Sequence, residues 1–344
     1  MSERESDRSW EISESQWVFK HRYLRGVGPM DSRFAIPTEL LRRPPDVLVS
    51  IYAQAPFVVG RLITRLRGIR HAFYVEKTFD NWVRRRPWKE RLKRHLFTRA
   101  DAILVGGPDA RSYALSYGAR DSRVFEVSNS TDISFYAAHS RLAPTRRAAL
   151  RQRLGFRGVT FLYVGRLWSG KGLFHLLEAF ADVRGRLTEP STLVLVGDGK
   201  DEQALRKYCS DRAIANVVFM GFVQRAELPP IYGASDVFVF PTLGDTYGLV
   251  IDEAMACGLP IISTWTSGEI SERVVEGTTG YIVPPRGTVA LGDRMVELGS
   301  SPSLRKRIGQ AARLKIAPRT PERWATQFEA AIAGILAAPT NSSA

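Results

Sequence analysis

Three times between positions 159 and 221 a short run of β-branched, aromatic and aliphatic residues breaks at a glycine: Val159–Val164 at Gly165, Leu193–Val196 at Gly197, and Val217–Met220 at Gly221. A fourth run, Val237–Phe240, leads into a segment that holds Gly244 and Gly248. Runs this short and this continuously apolar suit strands buried on both faces, as a parallel sheet requires. Between them lie stretches with helical spacing, such as Leu173, Leu176, Leu177 and Phe180. Alternating strand and helix patterns predict an α/β fold with a doubly wound parallel sheet, whose ligands bind beyond the carboxyl ends of the strands.

The first half carries a second set of strand signals, at Asp46–Ile51, His71–Glu76, Asp101–Val105 and Arg123–Val127, separated by helical stretches. With 344 residues the chain exceeds one ordinary domain, so two Rossmann-like units are expected. Two cysteines, Cys209 and Cys257, are too few and too far apart for a disulfide framework and point to a reducing compartment. Cys257, inside an apolar run, reads as a small buried hydrophobe. No run approaches a membrane span, and the polar start Met1-Ser-Glu-Arg is unlike a signal peptide, so a cytoplasmic location is expected.

The chemistry concentrates in two of the glycine-bearing loops. Asp245-Thr-Tyr-Gly248-Leu249-Val250-Ile-Asp-Glu253 sets the carboxylates of Asp245 and Glu253 eight positions apart around a helix start. Amides of a first helical turn have no intrahelical partner and the helix dipole favours an anion, so Gly248, Leu249 and Val250 suit a diphosphate. Asp245 would sit at the loop tip and Glu253 about two turns along the helix, where one acid reaches a sugar and the other a ribose; read alone, Asp245 could equally cap the helix. Gly165-Arg166-Leu-Trp-Ser-Gly-Lys171 supplies an arginine fork and a lysine point charge, the cations a leaving diphosphate needs. The loops contain no Asp-x-Asp pair and the histidines are scattered at 21, 71, 95, 139 and 175, so no metal site is expected.

In that order and with those gaps, Val164-Gly-Arg-Leu with Lys171-Gly172, Val196-Gly-Asp-Gly, Phe219-Met-Gly-Phe222 and Asp245-x7-Glu253 resemble the retaining GT-B glycosyltransferases of family 4. The resemblance runs from about Pro45 to Trp324. It implies two Rossmann-like domains facing a cleft, with residues 1–140 as the acceptor-side domain, 141–157 as linker and first helix, 158–317 binding the nucleotide sugar, and 318–338 as a helix crossing back. It further implies that Arg166 and Lys171 stabilise the leaving diphosphate, that Asp245 lies near the donor sugar and that Glu253 accepts from the ribose hydroxyls. Gly165, Gly197, Phe222 and the amides of Gly248, Leu249 and Val250 would line the donor site. Asp245 replaces the family's usual Glu and shortens its reach by one methylene. The mechanism implied is sugar transfer with retention, without a cofactor or metal, the leaving phosphate helping to deprotonate the acceptor. Glu76 and Glu269 are further candidates at the cleft, each equally readable as a strand-end or turn charge. The family's opening strand and Gly-rich loop have no counterpart before Asp46, so a shortened N-terminal domain is expected.

The net charge of +14 is uneven. Residues 1–150 carry 27 Lys and Arg against 16 acids, an excess of 11; residues 151–344 carry 22 against 19, an excess of 3. The densest patch is 84–99, where Trp88, Leu92 and Leu96 recur at helical spacing and predict an apolar stripe beneath a cationic face. Such a helix can lie on anionic lipid, which would make the protein peripheral at the inner face of the cell membrane. No nucleic-acid-binding module accompanies the basic charge, so nucleic acid is not an expected partner. The expected partners are a nucleotide-sugar donor and a carbohydrate or lipid-linked acceptor, in cell-envelope or polysaccharide assembly. Two readings on the same fold remain beside transfer: a nucleotide-sugar-binding pseudoenzyme and a nucleotide-sugar epimerase.

Overall fold

The computed structural model describes residues 40–51, 63–76 and 87–338. The expectations about the chain before Asp46 and about the tail at 339–344 fall mostly outside these residues, as do Arg84–Arg86 of the basic patch. Among these residues two compact units emerge, one of 40–51, 63–76, 87–128 and 325–338, the other of 129–324.

The first unit is built on a parallel sheet of β1 (Val47–Ile51), β2 (Arg70–Val75), β3 (Ala102–Val105) and β4 (Val124–Glu126), in that spatial order. β3 is buried at all four positions, as its uninterrupted apolar run requires. Helix α1 (Pro87–Thr98) packs Leu96 and Phe97 into this core, and α2 (Pro108–Ser116) adds Ala110, Tyr113 and Ala114. The predicted stripe on α1 differs from the observed one. Trp88 is 57% exposed and does not join Leu92 and Leu96; Phe97 takes its place. The face is fixed by Lys93, whose ammonium donates to Tyr113 at 2.7 Å and Glu90 at 3.1 Å and lies 4.4 Å from the Tyr117 ring centroid. That leaves Trp88 one turn ahead of the packed part of the helix.

The second unit holds six parallel strands: β5 (Val159–Val164), β6 (Ser191–Val196), β7 (Val217–Gly221), β8 (Val237–Phe240), β9 (Ile261–Thr264) and β10 (Gly280–Val283). Their spatial order is β10-β9-β8-β5-β6-β7. The helices of this unit are α3 (Ile133–His139), α4 (Pro144–Leu154), α5 (Leu173–Arg186), α6 (Glu202–Asp211), α7 (Leu228–Ala234), α8 (Leu249–Ala256), α9 (Ile270–Arg273), α10 (Thr288–Ser300) and α11 (Pro302–Ile316). α5 buries Leu173, Leu176, Leu177 and Phe180, the residues whose spacing predicted it. β5 lies between β6 and β8, so the chain leaves β5 one way and β8 the other. This is the topological switch point at which open α/β sheets form a ligand crevice.

The last helix, α12 (Pro321–Ala337), enters the first unit at residue 325. There it buries Ala331 and Ile335, brings Gly334 against the Phe125 ring, and accepts from Arg70 at the Ile335 carbonyl, 2.6 Å. No described helix is long and apolar enough to cross a membrane.

Candidate functional site

The loops after β5 and β8 meet at the switch point and are fastened to one another. Leu243 donates its amide to the Gly170 carbonyl at 2.9 Å, and a Cβ on Gly172 would stand 2.0 Å from the Pro241 carbonyl oxygen. Only glycine permits that approach, and its φ of +70° is one that side chains disfavour. The consequence is that Lys171 is delivered to the loop after β8. Its ammonium makes an ion pair with Asp245, both side chains about one-seventh exposed at 14% and 15%, and stands 5.4 Å from the Phe240 ring centroid. The other Asp245 oxygen accepts the Tyr247 amide at 3.0 Å.

A second set of ties joins the loops after β5, β6 and β7. Gly165 donates to the Val196 carbonyl at 2.9 Å, Leu167 to Asp198 at 2.7 Å and Gly197 to Gly221 at 2.8 Å. Gly197 lies so close to Gly165 that a Cβ would meet its carbonyl oxygen at 2.0 Å. Arg166 is exposed between these pinned residues, its own carbonyl taken by the Tyr163 hydroxyl at 2.9 Å. Phe222, half-buried, follows Gly221.

α8 begins at Gly248, φ +77°, with Leu249 exposed, Val250 half-buried and Ile251 donating back to the Gly248 carbonyl at 3.0 Å. The facing loop after β9 bridges Asp245 through Ser267, and the Asp245 amide donates to Thr266 at 3.1 Å. Beneath both loops sits Arg273, fully buried and paired with fully buried Asp252 at 2.8 Å. Tyr247 joins them: its hydroxyl donates to Asp252 at 3.0 Å and accepts from Arg319 at 3.1 Å, while its ring centroid lies 4.0 Å from the Arg273 guanidinium carbon. Burial works against the Arg273 charge, and the Asp252 carboxylate more than offsets it, leaving its pKa raised. Glu269, a buried residue at φ +53°, is held in the same cluster through its carbonyl.

Glu253 has different partners. Its carboxylate accepts from Tyr232 at 2.9 Å and from Tyr136, whose rings meet edge to face at 5.9 Å. Burial pushes the Glu253 carboxyl above the usual carboxylate range, against the pull of the two hydroxyls. Carboxyl groups shifted in this way cluster at functional sites and in buried polar networks. The folded pKa of Glu253 exceeds the unfolded one, so its contribution to stability is present in full below the ordinary carboxylate pKa and is lost as pH rises through the raised value. Glu253→Gln is therefore expected to be more stable than the parent at neutral pH, with the gain vanishing in acid. Denaturant titrations at both pH values check this, and a Gln variant less stable at neutral pH contradicts it.

The site thus brings together Lys171 with Asp245, Gly165 with Gly197, and Gly248 with Glu269 through Arg273. Glu76 belongs to the first unit, half-buried directly after β2. Arg273, Asp252, Tyr247, Tyr136 and Tyr232 were not singled out in sequence. Neither charge stands out locally: Asp252 adjoins Glu253 within Leu249–Ala256, and Arg273 adjoins Glu272 within Ile270–Arg273.

Residues 158–301 match the family described as Glycosyl transferases group 1. The chain is 33% identical over 172 residues to the alpha-D-kanosaminyltransferase of Streptomyces kanamyceticus, covering 48% of this chain and 43% of that protein. Identity is also 33% over 180 residues, 49% of this chain and 46% of the relative, to a GDP-mannose-dependent alpha-(1-6)-phosphatidylinositol monomannoside mannosyltransferase of Mycolicibacterium smegmatis. The chain spans about half the length of the curated relatives it matches, from 43% to 55% of the first three. In fold it resembles HepE of Anabaena in complex with UDP and glucose, TM-score 0.74 at 20% identity, over 87% of this chain and 81% of that one. Sucrose-phosphate synthase of Thermosynechococcus elongatus gives TM-score 0.74 at 21% identity, over 90% and 78%. Two parallel-sheet units of this kind are the GT-B fold.

Proposed function

We propose, from the match of residues 158–301 to the group 1 glycosyltransferases, that this chain moves a sugar from a nucleotide diphosphate donor to a carbohydrate or lipid-linked acceptor with retention of anomeric configuration. The observation that carries the reading is the delivery of Lys171 to the loop that opens α8, at the switch point of the sheet. A cation beside unpaired helix amides is a diphosphate site. HepE, of the same fold, holds UDP and glucose, and the mycolicibacterial relative is named for GDP-mannose; both are nucleoside diphosphate chemistry.

In the proposed mechanism the donor diphosphate lies across the amides of Gly248, Leu249 and Val250, with Lys171 and Arg166 opposing its charge. Glu253 accepts from the ribose, and Asp245 and Glu269 line the sugar side. As the bond from the anomeric carbon to the phosphate oxygen breaks, negative charge grows on the diphosphate and the cations stabilise it. The acceptor oxygen bonds to the same face of that carbon and its proton passes to the departing phosphate oxygen. This route asks for no metal, and the transfer reading is favoured over binding alone or epimerisation by Arg166 and Lys171 occurring together with Asp245 and Glu253. Incubation with a panel of nucleotide sugars and sugar acceptors tests it: the reading expects a product whose anomeric proton coupling matches that of the donor. An inverted product, or an isomerised donor without transfer, refutes it.

A cytoplasmic location at the inner membrane face, in envelope or polysaccharide assembly, belongs to the same proposal. α1 supports it, with Lys89, Arg91, Arg94 and Arg99 exposed alongside Trp88, each cation contributing about 1 kcal/mol near an anionic surface. Binding to phosphatidylglycerol vesicles at low salt is expected, with loss at high salt and in a variant carrying Glu at 89, 91 and 94. Salt-independent or equally strong binding to neutral vesicles contradicts it.

A further inference from the structure

We infer that Arg273 is a positioning residue that sets the amides of the diphosphate cradle, an assignment that rests on reading the α8 N-terminus as the donor site. A guanidinium has five N–H donors and no acceptor. All five are engaged here. Nη1 donates to Asp252 at 2.8 Å and to the Gly248 carbonyl at 3.1 Å; Nη2 donates to Gly268 at 2.8 Å and to the Tyr247 carbonyl; Nε donates to Glu269 at 3.3 Å. Four of the five acceptors are backbone carbonyls, two from each of the loops that flank the site.

Peptide geometry turns this convergence into an orientation. A trans peptide holds its C=O and N–H on opposite sides of one plane. Tyr247 and Gly248 carbonyls drawn to the guanidinium therefore direct the amides of Gly248 and Leu249 away from it, and these are first-turn amides without an intrahelical acceptor. The same pull holds Gly268 and Glu269. That matters because Glu269 is a non-glycine residue at φ +53° and because Gly268 lies so near Thr246 that a Cβ would stand 2.0 Å from its carbonyl oxygen. A left-handed peptide persists only when its surroundings fix it. Asp252 supplies the counter-charge that lets the guanidinium stay buried, and the Tyr247 ring covers its face. A lysine in its place could offer three donors and no planar fork.

Arginine is thus used here to aim other groups, not to touch the ligand. The assignment separates from a general packing role by which part of the ligand feels its loss. In Arg273→Lys, and in Asp252→Asn combined with Arg273→Gln, which removes both charges and keeps an amide pair, the fold is monitored by cooperative melting. Titration calorimetry then compares whichever of UDP, GDP and ADP the parent binds best with its nucleoside. The expected result is a loss of about tenfold or more in affinity for the diphosphate with the nucleoside affinity held within about twofold, since only the phosphates meet the re-aimed amides. Equal weakening of nucleoside and diphosphate, no weakening of either, or failure of both variants to fold would overturn the assignment. A parent protein that binds none of the three diphosphates would sink the donor-site reading itself, a result visible before any variant is made.

Discussion

Lys171→Ala is expected to lower turnover by about 10²–10³-fold at saturating donor, the loss seen when one preorganised charge partner of a transition state is removed. The geometry gives the reason. Lys171 reaches the mouth of α8 because Gly172 allows its loop to pack on Pro241, and it waits there against Asp245, which also caps the Tyr247 amide. In the proposed mechanism an arriving diphosphate competes with a carboxylate that already holds the ammonium in place, so the cation does not have to be recruited from solvent. Charge on the leaving group grows during bond cleavage, and the loss should therefore fall on kcat more than on KM. Lys171→Arg keeps the charge and should recover part of the rate. An alanine variant that retained half the parent activity would remove Lys171 from the mechanism.

Asp252→Ala is expected to cost about 3–5 kcal/mol of folding free energy, the penalty for leaving a buried charge without its partner. Both members of the Asp252–Arg273 pair are fully buried, so no solvent screens the orphaned guanidinium. Changing Arg273 to Met as well should restore only part of the loss. The double change removes the charge problem, yet the Gly268 carbonyl then loses its donor, at about 1–3 kcal/mol, while those of Tyr247 and Gly248 keep their second donors, Ser267 and Ile251. Denaturant titration checks the order: parent most stable, then double variant, then Asp252→Ala. A single variant within about 1 kcal/mol of the parent would show that the pair adds little.

What could be read from the sequence was local. Each strand that ends at Gly165, Gly197 or Gly221 announces itself by an apolar run and the residue that stops it, and α5 by the spacing of Leu173 to Phe180. Lys171, Asp245 and Gly248 were found because each follows such a strand within a few positions. What stayed hidden depends on pairings between distant segments. Asp252 and Arg273 are 21 positions apart, and each stands beside another charge, Glu253 or Glu272, on a short helix, where it looks like a solvated helix charge. Tyr136 and Tyr232 lie in no motif, and nothing local says that both turn their hydroxyls to Glu253. The exposure of Trp88 was missed for a related reason: periodicity gives the faces of a helix, but Lys93 gripping Tyr113 decides which of them is covered. The order β10-β9-β8-β5-β6-β7, which creates the switch point, likewise follows from tertiary packing.

In the proposed function the loop after β5 and the start of α8 together hold a diphosphate. Hydrogen–deuterium exchange read by mass spectrometry, with and without a saturating nucleoside diphosphate, locates that contact without assuming any residue's role. Slowed exchange is expected in both peptides, one spanning 165–172 and one spanning 245–253, in the same sample. Protection confined to other segments, or absent from both peptides under conditions where the nucleotide is bound, would contradict it.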